Sequence, residues 1–75
     1  MLKITDDGIF NFFADGTKKE IKFHKRDYPV TLPMCYSSSL DCMCDLAKLE
    51  NLGYSGRIDK HFVWKDYVII LTGKE

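Results

Sequence analysis

The fold class is decided by one stretch of the chain, SSSLDCMCDLAKLENLG at residues 37–53, because its apolar residues recur with the spacing of an amphipathic helix. The three serines at its start are N-cap candidates, and Ser38 with Asp41 three residues later resembles a capping box. Gly53 is placed to end the helix. The sequence therefore predicts one helix with an apolar half that carries Leu40, Cys42, Met43, Leu46, Ala47 and Leu49.

Extended segments precede the helix. Leu2–Thr5 and Ile9–Phe13 flank an Asp-Asp-Gly turn, and an Asp-Gly turn then leads into Thr17–His24. In this third segment apolar and charged residues alternate, as expected for a strand with one solvated face. The three segments predict an antiparallel meander. Two prolines bracket Val30–Leu32, which should therefore form an extended connection or an edge strand.

Two further strands follow the helix. Arg57–Trp64 and Tyr67–Thr72 are joined around Lys65-Asp66, and both have strand-like composition. Residues 67–71 are apolar on both faces, which favours a central strand or a strand covered by another chain. The predicted architecture is α+β: a small antiparallel five-stranded sheet in βββαββ order, with one helix packed on one face, in a single domain that spans residues 1–75.

The composition narrows the possible functions. The chain has 11 Lys and Arg residues against 11 Asp and Glu residues, and 45% of its residues are hydrophobic. A neutral chain lacks the cationic surplus on which nonspecific nucleic-acid binding depends, and its weak self-repulsion favours association with a protein. The longest apolar run is too short to cross a bilayer, and an odd count of 3 cysteines is typical of reduced thiols. We therefore expect a cytoplasmic protein with no membrane contact.

The residues that could carry chemistry form no recognisable motif. Those that could bind zinc are Cys35, Cys42, Cys44, His24 and His61. Cys42 and Cys44 would lie about 200° apart on the helix, which prevents them from chelating one ion. The three serines lack the G-x-S-x-G pattern, and the glycines are scattered rather than gathered in a phosphate-binding loop. We expect neither enzymatic activity nor a metal or cofactor.

The sharpest local feature is a basic segment, Lys18–Arg26, which follows the aromatic strand Ile9–Phe13. Because successive side chains of a strand point to opposite faces, some of these phenylalanines must face away from a core that one helix covers. Sheet aromatics beside Lys and Arg occur in several single-strand nucleic-acid binders, although a lysine-rich strand also keeps a sheet edge soluble. The predicted partner-binding residues are Phe10, Phe12, Lys18, Lys22, His24, Lys25 and Arg26.

Two functions remain open. We expect a small non-enzymatic protein-interaction module, because the chain is neutral and has more apolar and aromatic surface than one helix can cover. By analogy with small accessory proteins of phages and mobile elements, it would regulate or inhibit a larger protein by covering a site on it. A homodimer through the uncovered sheet face is a further expectation. The alternative is a small single-stranded RNA- or DNA-binding domain that uses the sheet aromatics and the Lys18–Arg26 segment.

Overall fold

The computed structural model describes residues 1–60, 63 and 65–75. Antiparallel strands and one α-helix make up this part of the chain, so the predicted α+β class is confirmed. The predicted strand Arg57–Trp64 is defined as far as Lys60, and its residues 61, 62 and 64 lie outside the described residues. In chain order the elements are β1 (Leu2–Thr5), β2 (Gly8–Phe12), β3 (Lys18–Glu20), a 3-10 turn (Lys25–Asp27), β4 (Val30–Thr31), α1 (Ser39–Asn51), β5 (Tyr54–Lys60) and β6 (Tyr67–Lys74).

The strands of the described residues form two separate three-stranded antiparallel sheets, so the prediction of a single five-stranded sheet is not confirmed. The first sheet has the order β1-β2-β3 and the second has the order β4-β6-β5. The sheets separate because the chain leaves β3 after Glu20 and enters the 3-10 turn before it pairs again at β4. The short β4 is an edge strand of the second sheet. Of the two alternatives predicted for residues 67–71, the central strand is the one observed, since β6 lies between β4 and β5.

The ends of α1 agree with the predicted capping positions. Ser38 is the N-cap residue, and its Oγ accepts a hydrogen bond of 3.5 Å from the backbone N–H of Asp41. At the other end Gly53 has a φ angle of 96°, a conformation that glycine adopts without strain. The N–H of Gly53 donates to the carbonyl oxygen of Glu50 at 3.0 Å. No helix in the described part of the chain is long and apolar enough to cross a membrane.

The buried side of α1 is narrower than the predicted apolar half. Cys42 and Leu49, which lie two turns apart, are fully buried, and Leu46 is half-buried beside them. The other three apolar residues are exposed to solvent, because β5, β1 and β6 contact α1 from the opposite side. Leu40 is 66% exposed and Met43 is 56% exposed. We call this exposed set the helix stripe: Leu40, Met43 and Ala47.

One hydrophobic core joins both sheets to the helix. Ile4 and Ile9 contribute to it from the first sheet, and Ile69 and Leu71 contribute from the central strand of the second. Leu49 of α1 packs in the same cluster and is as completely buried as Ile9. Because the first sheet and α1 each turn one side toward this cluster, the opposite side of each is left at the surface.

Replacement of Leu49 and Leu40 by alanine gives a matched pair, because the two changes remove the same atoms from the same helix. Leu49→Ala should lower the free energy of unfolding by about 2–5 kcal/mol, since it opens a cavity in the core. Leu40→Ala should change that free energy by less than about 0.5 kcal/mol, since the side chain is exposed. Urea unfolding followed by circular dichroism measures both effects. Equal losses for the two variants would contradict the orientation of α1.

Candidate functional site

The phenylalanines of β2 lie on the face of the first sheet that points away from the core. Ile9 is fully buried, and because side chains alternate along a strand, Phe10 and Phe12 occupy the opposite face. Both phenylalanines are half-buried. The strand register places Lys3 of β1 opposite Phe10 and Lys18 of β3 opposite Phe12. We call these four residues, which share one side of the sheet, the aromatic face: Lys3, Phe10, Phe12 and Lys18.

A lysine ammonium group lies over each phenyl ring of the aromatic face. The two ring centroids are 6.4 Å apart, and the ring planes are inclined at 59°. Nζ of Lys18 is 4.5 Å from the centroid of Phe10, and Nζ of Lys3 is 5.6 Å from that of Phe12. Each lysine therefore reaches diagonally across the strands rather than to the residue directly opposite. Such contacts are worth about 0.5–1 kcal/mol at exposed sites, and they hold positive charge over the rings.

The two ammonium groups of the aromatic face have no ion-pair partner among the described residues. Glu20 lies directly opposite Phe10 on β3 and shares this side of the sheet, and its Oε1 is 4.0 Å from Nζ of Lys22. Gly8 leaves room for this carboxylate, since a Cβ at Gly8 would lie 3.2 Å from Oε2 of Glu20. Among the described residues, no carboxylate lies within 4.0 Å of either ammonium group of the aromatic face. The face thus combines apolar rings with two cations that lack an anionic partner within the described part of the chain.

Four of the predicted site residues lie on this face or next to it. Phe10, Phe12 and Lys18 meet there, and Lys22 follows β3 and makes the ion pair described above. Lys3 completes the face, although it is not among the site residues predicted from the sequence. A signal for Lys3 was present, because the tight turn between β1 and β2 sets the register that pairs it with Phe10.

The other three predicted residues lie beyond the sheet. His24 is the N-cap residue of the 3-10 turn, and its backbone N–H donates to Oδ2 of Asp27 at 2.7 Å. Lys25 and Arg26 lie within that turn and are exposed. The basic segment Lys18–Arg26 is therefore divided between the sheet and the turn, because the Asp27 side chain closes the turn and redirects the chain.

A groove beside the 3-10 turn was not predicted from the sequence. It has a volume of about 410 Å³, and its wall includes Phe23, Lys25 and Tyr28 together with Thr72–Glu75. The rings of Phe23 and Tyr28 pack edge to face with centroids 6.1 Å apart. The two walls are brought together by the pairing of β4 with β6. No local pattern indicates that pairing, because it joins segments that are far apart in the chain.

A polar cluster ties α1 to the second sheet. The Tyr36 hydroxyl donates to Oδ2 of Asp45 at 2.5 Å, and Nζ of Lys48 lies 3.7 Å from Oδ1 of the same carboxylate. The backbone of Tyr36 also exchanges two hydrogen bonds of 2.8 Å with Tyr67 at the start of β6. Burial raises the pKa of the Tyr36 hydroxyl well above its ordinary value of 10.0, and the hydrogen bond to Asp45 adds to the effect.

The candidate nucleophiles and metal ligands are dispersed. All three cysteines are free thiols, of which Cys42 is buried while Cys35 and Cys44 are exposed. Burial raises the pKa of the Cys42 thiol, and the negative charge of Asp45 acts in the same direction. Within residues 1–60, 63 and 65–75, no group of three or more His, Cys, Asp or Glu side chains could hold a metal ion. His61, a predicted zinc candidate, lies outside those residues.

The aromatic face is the best-supported candidate site, because it joins aromatic surface, two cations without an ion-pair partner among the described residues, and a register fixed by both neighbouring strands. No protein-family model, curated protein or solved structure matches this chain. Its function must therefore be inferred from the chemistry of its own surfaces.

The three thiols should differ in reactivity toward a disulfide-exchange reagent such as dithiodipyridine. Cys35 and Cys44 should react in the folded protein, whereas Cys42 should react only when the chain unfolds, because it is buried and its pKa is raised. Absorbance at neutral pH, with and without urea, counts the reacted thiols. Rapid reaction of all three in the native protein would contradict the burial of Cys42.

Alkaline pH should destabilise the protein through three tyrosines that are buried or partly buried. Burial raises the pKa of Tyr28, Tyr36 and Tyr54 above the ordinary value of 10.0, so the folded state keeps protons that the unfolded chain loses. This contribution to stability is complete below pH 10 and is lost as the pH rises above it. Urea unfolding at a series of pH values should show a shallower alkaline loss for Tyr36→Phe than for the wild type. Parallel curves would rule out a contribution from Tyr36.

Proposed function

We propose that the chain is a non-enzymatic protein-interaction module that binds a partner protein through the aromatic face. The observation that carries this proposal is the pair of phenyl rings of Phe10 and Phe12, each beneath an ammonium group with no carboxylate in ion-pair range among the described residues. Aromatic side chains dominate the binding energy of many protein interfaces, and flanking charges guide the approach of a partner.

The chemistry of the face favours a protein over a nucleic acid. A base that stacked on Phe10 would have to displace the Lys18 ammonium group, which lies 4.5 Å from the ring centroid. The whole chain also has no net charge with which to attract a phosphate backbone. A protein surface with apolar side chains between two carboxylates would instead pack against the ring edges and pair with Lys3 and Lys18.

A module of this kind acts by occupying a site on a larger protein, as a regulator or inhibitor does. The face of a three-stranded sheet is small, so a few side chains must supply most of the binding energy. Phe10, Phe12, Lys18 and Lys3 have that role in the proposal. His24, Lys25 and Arg26 lie beyond the sheet and are not needed for it.

Matched substitutions on the two faces of the first sheet test this proposal. Phe10→Ala and Lys18→Glu should each weaken capture of a partner from a lysate of the native source by roughly 30-fold, which corresponds to about 2 kcal/mol for a residue central to an interface. Phe13→Ala and Lys19→Glu are the controls, because Phe13 lies beyond the end of β2 and Lys19 points to the other face. The controls should bind like the wild type, and circular dichroism verifies that all four variants fold.

Two results would count against the proposal. Equal binding by Lys18→Glu and Lys19→Glu would place the interface elsewhere on the chain. A mobility shift with short single-stranded RNA or DNA that weakens with salt and is lost in Lys18→Glu, without any captured protein, would establish the nucleic-acid alternative.

A further inference from the structure

The helix stripe is an apolar surface that the fold itself does not cover. Leu40, Met43 and Ala47 follow one another at intervals of three and four residues, so they line one side of α1 over about 10 Å of helix length. All three are exposed, while Cys42 and Leu49 on the other side are buried. An apolar row on the outer side of a helix is typical of a contact surface for another chain.

Two carboxylates, Asp41 and Glu50, flank the helix stripe, and Lys48 lies about 80° from Leu40 on the same side as Asp41. At 100° per residue, Asp41 lies about 100° to one side of Leu40 and Glu50 lies about 80° to the other. Neither carboxylate has a cation within ion-pair range in the described part of the chain, because the ammonium group of Lys48 is directed at Asp45. Because Lys48 is paired with Asp45, the two charges beside the stripe that lack an ion-pair partner among the described residues are both negative.

The aromatic face has the complementary arrangement. Its rings lie between Lys3 on β1 and Lys18 on β3, two strands that are separated by about 10 Å with β2 between them. On α1 the two carboxylates are separated by about 14 Å along the helix axis. Lysine side chains are long enough to bridge this difference. A symmetric pairing of two aromatic faces would instead bring lysines against lysines, which opposes the homodimer expected from the sequence.

We propose that the aromatic face of one copy of this chain binds the helix stripe of a second copy. This inference rests on the proposed function of the aromatic face and names a partner for it. The contact is heterologous, so a pair of copies keeps one free helix stripe on the first copy and one free aromatic face on the second. Association therefore continues beyond a dimer as the concentration rises, and it weakens with salt because exposed ion pairs are screened.

Charge reversal on each surface gives a direct test by sedimentation velocity, from low micromolar to near-millimolar protein and at low and moderate salt. The wild type should grow in mean mass from the monomer value of 8.7 kDa past that of a dimer at low salt, and should return toward the monomer at moderate salt. The sheet variant Lys3→Glu/Lys18→Glu and the helix variant Asp41→Lys/Glu50→Lys should each remain monomeric. An equal mixture of the two variants should associate again, because reversed faces then meet reversed stripes. Lys19→Glu should behave like the wild type.

Other outcomes would overturn the inference. A wild type that stays monomeric at the highest concentration and low salt excludes this contact. Association of the helix variant to the extent of the wild type would show that the stripe is not used, and a mixture limited to dimers would indicate pairing between aromatic faces. Partner capture tests the proposed function independently of self-association, because it can be measured at concentrations at which the chain is monomeric. If partner capture depends on Phe10 and Lys18 but the chain never self-associates, the self-association proposal is wrong and the proposed function stands.

Discussion

The structure depends on one shared hydrophobic core, into which two small sheets and one helix each direct a single face. Ile9, Leu49 and Ile69 come from these three elements and are all fully buried. The core of so short a chain is thin, and no further layer among the described residues covers the outer side of the first sheet or of α1. Both outer surfaces are therefore exposed because the chain is small. Their side chains can bind a partner without any change in the packing of the core.

The features that the sequence predicts correctly are those with local causes. Ser38 and Gly53 mark the two ends of the helix through their own conformational preferences. Residues 67–71 are apolar on both faces, and this pattern identifies the central strand. The division into two sheets depends on the turn that Asp27 closes and on the pairing of β4 with distant β6, neither of which has a local pattern. The candidate site can be predicted only in part from the sequence. Strand alternation indicates Phe10 and Phe12, whereas only the pairing register of β1 with β2 places Lys3 on the same face.

The rotation of α1 could not be predicted from its apolar residues, because these residues cover more of the helix than the core accepts. The polar cluster explains which part is buried. Asp45 accepts a hydrogen bond from Tyr36 and an ion pair from Lys48, and it lies about 140° from Leu40 around the helix axis. A rotation that buried Leu40 would separate this carboxylate from Tyr36, whose backbone is fixed to β6. The tie to Tyr36 thus stabilises the orientation that leaves the helix stripe exposed.

Zero net charge conceals an uneven distribution of charge. Lys3 and Lys18 lie over aromatic rings on one surface, while Asp41 and Glu50 border an apolar row on another, and none of these four has an ion-pair partner among the described residues. The net charge of the composition is therefore the sum of two oppositely charged surfaces and does not describe either surface. In the proposed scheme the aromatic face can contact either a second copy or a different protein, but not both. Partner binding and self-association then compete for the same rings, so a tightly bound partner disperses the self-associated chain.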